Sequence, residues 1–158
     1  MLPALDQISS RKDFAKGKQA FTAAQCIACH HFAGEGGSVG PDLTAVSSRF
    51  TPRDILESIL EPSKVVSEQY QNMTVFKKDG DDVTGRVVED TRQKLVLVTN
   101  PLTQERVEVR KSDVREVVAS KVSPMPEALV NTFGREEILD LIAYLESGGR
   151  PEHTAAVK

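Results

Sequence analysis

The sequence predicts an α+β chain, a mainly helical fold split by one β-rich insertion. Three observations predict it. Apolar residues recur at helical spacing over about 13–24, 51–62 and 135–146. Between 69 and 118 the period changes to two, in short valine-rich runs separated by Asp, Gly, Asn and Pro. A single Cys-x-x-Cys-His run, Cys26 to His30, follows the first helical stretch directly. At 158 residues the chain is one ordinary domain, or one small domain carrying a large insertion. Its net charge of −3 gives no electrostatic support for nucleic-acid binding. No apolar run approaches the roughly 20 residues needed to cross a bilayer as a helix.

Taken in order, Met1 to Ser10 has neither a basic leader nor an apolar stretch and is not a signal peptide. From Asp13 to Ala24, Phe14, Ala20, Phe21 and Ala24 form one apolar stripe, while Lys12, Lys16, Lys18 and Gln19 face water. Gly17 inside this stretch costs up to about 1 kcal/mol relative to alanine. Either a close helix crossing requires it, or it is a tolerated exposed glycine. The helix is expected to run straight into Cys26 and to aim the turn that follows.

Cys26-Ile27-Ala28-Cys29-His30 is the c-type haem attachment pattern. Two thiols at this spacing add across the two vinyl groups on one side of a porphyrin. The turn between them delivers the next side chain beneath the iron, where a neutral imidazole nitrogen can bind. Three other readings exist. A thioredoxin-like pair needs a βαβ context, a structural zinc site needs a second pair of ligands, and five residues can match by chance. Both cysteines of the chain lie in this motif, which leaves none for a structural disulfide. An aromatic share of only 5% suits a core completed by a macrocycle, and suits many ordinary domains equally.

His31 is a tempting second ligand, but adjacent residues cannot reach both faces of a flat macrocycle, so it is expected at the surface or the haem edge. A flexible loop, Gly34 to Ser38, leads to Gly40-Pro41-Asp42-Leu43. A metal-bound imidazole needs an acceptor on its other nitrogen, and the carbonyl of Pro41 could supply it; a plain turn is the alternative. Thr51-Pro52-Arg53-Asp54 opens the second helix with an N-cap, a proline at the first helical position and an acid in the first turn. Ile55, Leu56, Ile59 and Leu60 give its apolar face and Pro62 ends it. Arg49 and Arg53 flank Phe50, and either guanidinium could pair with a haem propionate or simply stay solvated.

Strands are expected at 70–76, 83–88, 94–99, 106–109 and 114–118, forming an antiparallel meander or small barrel with one wet face. Met73 falls within the first of them and reads as a core residue. After it, Ser123-Pro124-Met125-Pro126 presents a soft, neutral thioether between two prolines that hold the backbone extended. Met125 is therefore the expected sixth ligand, with His153 a weaker candidate. The last helix, Arg135 to Glu146, turns Ile138, Leu139, Leu141, Ile142 and Leu145 inward with Tyr144 beside them, and Gly148-Gly149 stops it. The tail from 149 to 158 is expected to be flexible.

These residues together resemble a c-type cytochrome of the small, helical, single-haem kind. Cys26 to His30, Gly40-Pro41-Asp42-Leu43, Met125-Pro126 and Leu141 to Leu145 carry the resemblance. It implies a cytochrome c core from 10–66 and 120–148, with 69–118 inserted between its halves. It also implies a crossing of the first and last helices, with Gly17, Phe21 and Tyr144 at the contact. More narrowly, Gly-Pro-Asp-Leu-Thr, Ile59 to Ser63, the strand-rich middle and Met-Pro are similar to the haem-binding domain that closes large exported planctomycete proteins.

The function this implies is electron transfer through one haem c, attached at Cys26 and Cys29 and ligated by His30 and Met125. Phe21, Ile27, Phe32, Leu43, Ile59 and Leu145 would surround it. The chain is then not an enzyme but the electron acceptor of a redox partner protein or a fused dehydrogenase domain. Since haem is attached to cysteines outside the cytoplasm, a periplasmic or otherwise exported location is expected, the chain being cut from a longer protein. The alternative is a haem-based gas or redox sensor, or a haem enzyme, with a displaceable sixth ligand. In a further reading the strands dock a partner and the haem is mainly structural.

Overall fold

The computed structural model describes residues 13–150, which divide into two compact units. The helical unit comprises the chain up to Pro62 and from Pro126 onward; the sheet unit is Ser63–Met125. Helices and strands take similar shares, so the described chain is mixed α+β rather than mainly α.

In the helical unit, α1 spans Phe14–Ala23, with the Asp13 carboxylate accepting from the Lys16 amide at 2.9 Å as its cap. Helix α2 is one turn, Cys26–Cys29. Between them Gln25 adopts a left-handed conformation, φ 65°. The chain therefore does not run straight from α1 into Cys26, as its periodicity suggested, but changes direction at Gln25. Strands β1 (His31–Phe32) and β2 (Glu35–Gly36) then form a short hairpin, and a single 3-10 turn covers Val46–Ser48.

Helix α3, Pro52–Leu60, starts with a full capping box: the Asp54 amide donates to Thr51 Oγ1 and the Thr51 amide to Asp54 Oδ2. Ile55, Leu56 and Ile59 are buried, but Leu60, expected on the same face, is exposed. The last helix of the unit, α4, spans Arg135–Glu146. Leu139 through Leu145 are buried without a break, including Asp140, so this helix is covered nearly all round rather than along one stripe.

Helices α1 and α4 cross at Gly17. A Cβ there would lie 2.5 Å from the Asp140 carbonyl oxygen and 2.6 Å from Tyr144 Cβ, so only glycine permits this approach. Tyr144 stands at the centre of an aromatic cluster. Its ring lies 4.8 Å from Phe32, 5.0 Å from Phe14 and 5.7 Å from Phe21, in tilted and edge-on arrangements that suit the ring quadrupoles. Beyond α4, Gly149 and Arg150 donate to Ser147, so the tail expected to be flexible from 149 begins tied to the helix end. Its remainder lies outside the described residues, as do His153 and the segment 1–12.

The sheet unit holds five antiparallel strands: β3 (Met73–Lys77), β4 (Val83–Asp90), β5 (Lys94–Asn100), β6 (Glu105–Arg110) and β7 (Val114–Ala119). Their spatial order is β6-β5-β4-β3-β7, a meander with the last strand returning beside the first. Strands β6 and β7 lie at opposite edges, yet only Lys111–Asp113 separate them. A flat five-stranded sheet would hold its edges about 19 Å apart. Four residue steps reach about 14 Å at most. The sheet must therefore curl towards a barrel, helped by register shifts at Phe76/Lys77, Val87/Glu89 and Val98/Asn100.

Val75, Leu95, Leu97 and Val109 fill the sheet unit's core, with Val83, Val87, Val107 and Val114 packed against them. Met73, expected in this core, is only half-buried. The expected alternation fails in β5, where Val96 and Val98 are buried along with Leu95 and Leu97. Val96 lies between Glu89 and Glu108, and Val98 between Arg86 and Arg106. The aliphatic stems of these four charged side chains can cover the valines while their heads stay in water.

Candidate haem-attachment site

The site is built on one helical turn. Cys26 and Cys29 stand three residues apart, hence on one side of α2. The His30 amide donates to the Cys26 carbonyl at 2.9 Å and ends the turn. His30 itself is extended, φ −107° and ψ 138°, which swings its side chain out of the helical path. Both thiols are free. Burial pushes the Cys26 thiol up to about 11, and burial also raises Cys29 from its ordinary value. Both are therefore neutral thiols at pH 7.

The loop behind the turn was expected to be flexible, but hydrogen bonds pin it. Gly37 donates to the Ile27 carbonyl at 3.0 Å, Gly40 to Cys29 at 2.8 Å, and Leu43 to His31 at 2.8 Å. Gly36, at φ 110°, lets the β1–β2 hairpin come so close to the His30 carbonyl that no Cβ would fit. The glycines here do not loosen the segment; they let one stretch of backbone lie against another.

This wrapping decides the state of His30. Its Nδ1 lies 2.7 Å from the Pro41 carbonyl oxygen. A carbonyl can only accept, so Nδ1 carries the hydrogen and Nε2 is left with a free lone pair. Burial lowers the His30 pKa from its ordinary value, with the Pro41 bond opposing part of that shift. The ring is therefore neutral, the form that binds a metal. Gly40 supports it from below: a Cβ there would stand 2.7 Å from His30 Cε1 and 2.9 Å from Nδ1. Gly40 is the site residue whose role periodicity and motif spacing did not reveal. Its only signal was its place before Pro41.

The remaining sequence candidates are placed as follows. Leu43 is half-buried beside the turn, as are Ile27 and Cys29. Phe32 is fully buried, 5.6 Å from Phe21 and in contact with Tyr144, so it belongs to the aromatic cluster at the helix crossing. Arg49 and Arg53 are both exposed, and the Arg49 guanidinium lies 5.8 Å over the ring of Phe50. His31 is half-exposed with Nδ1 3.5 Å from the Gly36 carbonyl. Met125 is half-buried at the end of the sheet unit, its amide donating to Ser123 Oγ at 3.1 Å.

The donor chemistry fits haem c. Two unpaired thiols share one turn, and one imidazole beside them is held neutral with its Nε2 unprotonated. The competing readings fit less well. The sheet is antiparallel, without the βαβ unit of a thioredoxin-like pair. Among the described residues, no three His, Cys, Asp or Glu side chains converge as a metal cluster would require. The Cytochrome c family model matches residues 14–95, just over half of the chain. The chain belongs to the cytochrome c family. Cytochromes c carry covalently attached haem c and work in haem-based electron transfer, and Cys26 and Cys29 are the two cysteines available for the attachment. The match covers the attachment turn, the Gly40-Pro41 loop and α3, continues through β3 and β4, and ends before α4. No curated protein matches the chain. Among the described residues, no helix is long and apolar enough to cross a membrane.

Proposed function

We propose that the chain carries electrons for a larger exported oxidoreductase, through a haem iron ligated by His30 on one side and Met125 on the other. The observation that carries this reading is the 2.7 Å bond between His30 Nδ1 and the Pro41 carbonyl, which leaves Nε2 as the free donor. When bound, haem supplies a one-electron couple between ferric and ferrous iron. The protein's part is to hold that couple steady. His30 is fixed in tautomer and angle by Pro41, and in position by Gly40. Met125 supplies a neutral thioether, which favours the ferrous form and raises the potential. Met73 is committed to β3, which leaves Met125 as the thioether on irregular backbone within the described residues.

The cytochrome core in this reading is 10–66 with 120–148, and 69–118 is an insertion. Division of the chain at Pro62/Ser63 and at Met125/Pro126 supports it. The insertion and the Met-Pro pair also support membership of the planctomycete-type haem-binding domains, and in this reading the electron donor is a redox partner protein or a fused dehydrogenase domain. Covalent haem attachment supports export. Arg49 and Arg53 are exposed cations available to haem propionates, and Leu43 and Phe32 are apolar residues available to cover the ring.

Carbon monoxide tests the ligand pair. The reduced, haem-loaded protein is expected to keep its spectrum on mixing with carbon monoxide and to change only slowly on long exposure, because both axial positions would be filled and the gas must wait for the thioether to leave. Met125→Ala opens one of them and is expected to give a prompt spectral shift. A variant that stays closed ends the Met125 assignment; wild-type protein that binds at once favours the sensor reading.

A further inference from the structure

Met125 lies some sixty residues beyond the end of α3, and a ligand delivered after so long a detour needs a fixed starting point. Closing a loop of that length costs entropy that grows with its logarithm. Within the sheet unit, the two ends of the detour are hydrogen-bonded to each other. The Ser123 amide donates to Ser63 Oγ at 3.0 Å, across 60 residues of sequence. The Met125 amide in turn donates to Ser123 Oγ at 3.1 Å. Above this clasp, the Ser120 amide donates to the Asn72 carbonyl at 2.9 Å, and the ladder continues into the β3–β7 pair at Met73 and Ala119. The Val122 amide is held by Ser120 Oγ at 3.2 Å. A continuous series of bonds thus leads from the sheet to the Met125 backbone.

We infer that Ser63 and Ser123 are positioning residues for the Met125 ligand, clasping the two ends of the sheet unit so that the thioether is presented from a closed base. The inference rests on the His30–Met125 reading. Pro124 donates no hydrogen bond of its own, so Ser123 is the last residue before Met125 whose amide can anchor the segment. Ser63 meets that amide with a side-chain oxygen that alanine lacks and threonine keeps.

The test uses the full haem-loaded chain as Ser63→Ala, Ser63→Thr, Ser123→Ala and Met125→Ala, with covalent haem checked by mass and folding by circular dichroism. Two quantities are measured: the rate of carbon monoxide binding to the reduced protein, and hydrogen exchange at the Met125 amide. Each alanine variant at the serines is expected to speed carbon monoxide binding roughly three- to tenfold, the scale of one lost hydrogen bond. Exchange at Met125 is expected to rise by a similar factor, and Ser63→Thr to behave as wild type. Serine variants indistinguishable from wild type in both measurements, beside a Met125→Ala variant that opens, overturn the clasp and leave the ligand pair standing. A Met125→Ala variant that stays closed overturns both. If an alanine variant does not fold, Ser63→Thr and the wild-type exchange at Met125 decide: an unprotected amide overturns the clasp.

Discussion

The helical unit and the sheet unit hold themselves together by different means. The sheet unit has a repetitive core of valine and leucine, and its outer face carries ion pairs such as Lys111–Asp90 at 2.6 Å and Lys94–Glu108 at 3.3 Å. Exposed pairs of this kind contribute little each. The helical unit buries an irregular apolar core of its own around α4 and adds a few close approaches that single positions decide: α1 on α4 at Gly17, the hairpin on the His30 carbonyl at Gly36, the imidazole on Gly40. A repeating core spreads its stabilisation over many similar contacts. A site that must hold one imidazole in one tautomer concentrates its requirements on single positions.

The largest expected effect on stability comes from the sheet core. Leu97 is fully buried at its centre, and Leu97→Ala is expected to destabilise the sheet unit by about 2–5 kcal/mol. Denaturant unfolding followed by hydrogen exchange localises the loss. The contrast between the units predicts that amides of β3–β7 lose protection while the His30–Pro41 region keeps its own. Equal loss in both would mean that the two units unfold as one.

Next comes Gly17→Ala, where the sign of the effect carries the information. Alanine is favoured over glycine in a helix by about 1 kcal/mol, so an exposed Gly17 would make the variant more stable. The added Cβ instead meets the Asp140 carbonyl oxygen, a backbone atom that cannot rotate aside. Overpacking costs of about 1–3 kcal/mol then outweigh the propensity gain. The variant is expected to melt below wild type, and a higher melting temperature would show that α1 and α4 can part without penalty.

The same contrast explains what could be read from the sequence. Strand positions follow from a period of two and from turn residues, both local properties, and each of the five expected strands matches an observed one to within a few residues. The Thr51 cap is equally local. The motif Cys26 to His30 showed its chemistry through spacing alone. What local pattern could not show was geometry made by distant backbone: the left-handed turn at Gln25, the pinned glycine loop, and Gly40 beneath the imidazole. Glycine in a sequence signals freedom; whether it is used for motion or for close approach depends on what lies opposite. Similarly, the burial of Val96 and Val98 depends on charged neighbours across the sheet, not on their own strand.

The smallest expected effect lies at the N-terminus of α3, and it sets a pH dependence within the helical unit. Asp54 accepts the Thr51 amide at 3.0 Å, and the bonds with Thr51 hold its carboxyl below the usual range. Asp42, accepting the Thr44 amide at 2.8 Å and the Thr44 hydroxyl at 2.6 Å, is lowered in the same way. A carboxylate with a depressed folded-state pKa contributes its stability above the unfolded value, about 3.9, and loses it as pH falls through the lower folded value. Acid below about pH 4 is therefore expected to weaken the Thr51 cap and the Asp42–Thr44 turn that follows the Pro41 carbonyl. Asp54→Ala separates the two. It removes the carboxylate that accepts the Thr51 amide, leaves Thr51 Oγ1 in place to accept from the backbone amide at position 54, and takes away the part of the acid sensitivity that comes from Asp54. The variant is expected to melt below wild type near neutral pH, and the two melting curves to converge as pH falls, because protonation weakens in wild type the bond that the variant already lacks. Curves that stay parallel down to pH 2 would mean that the capping box contributes nothing to the acid response.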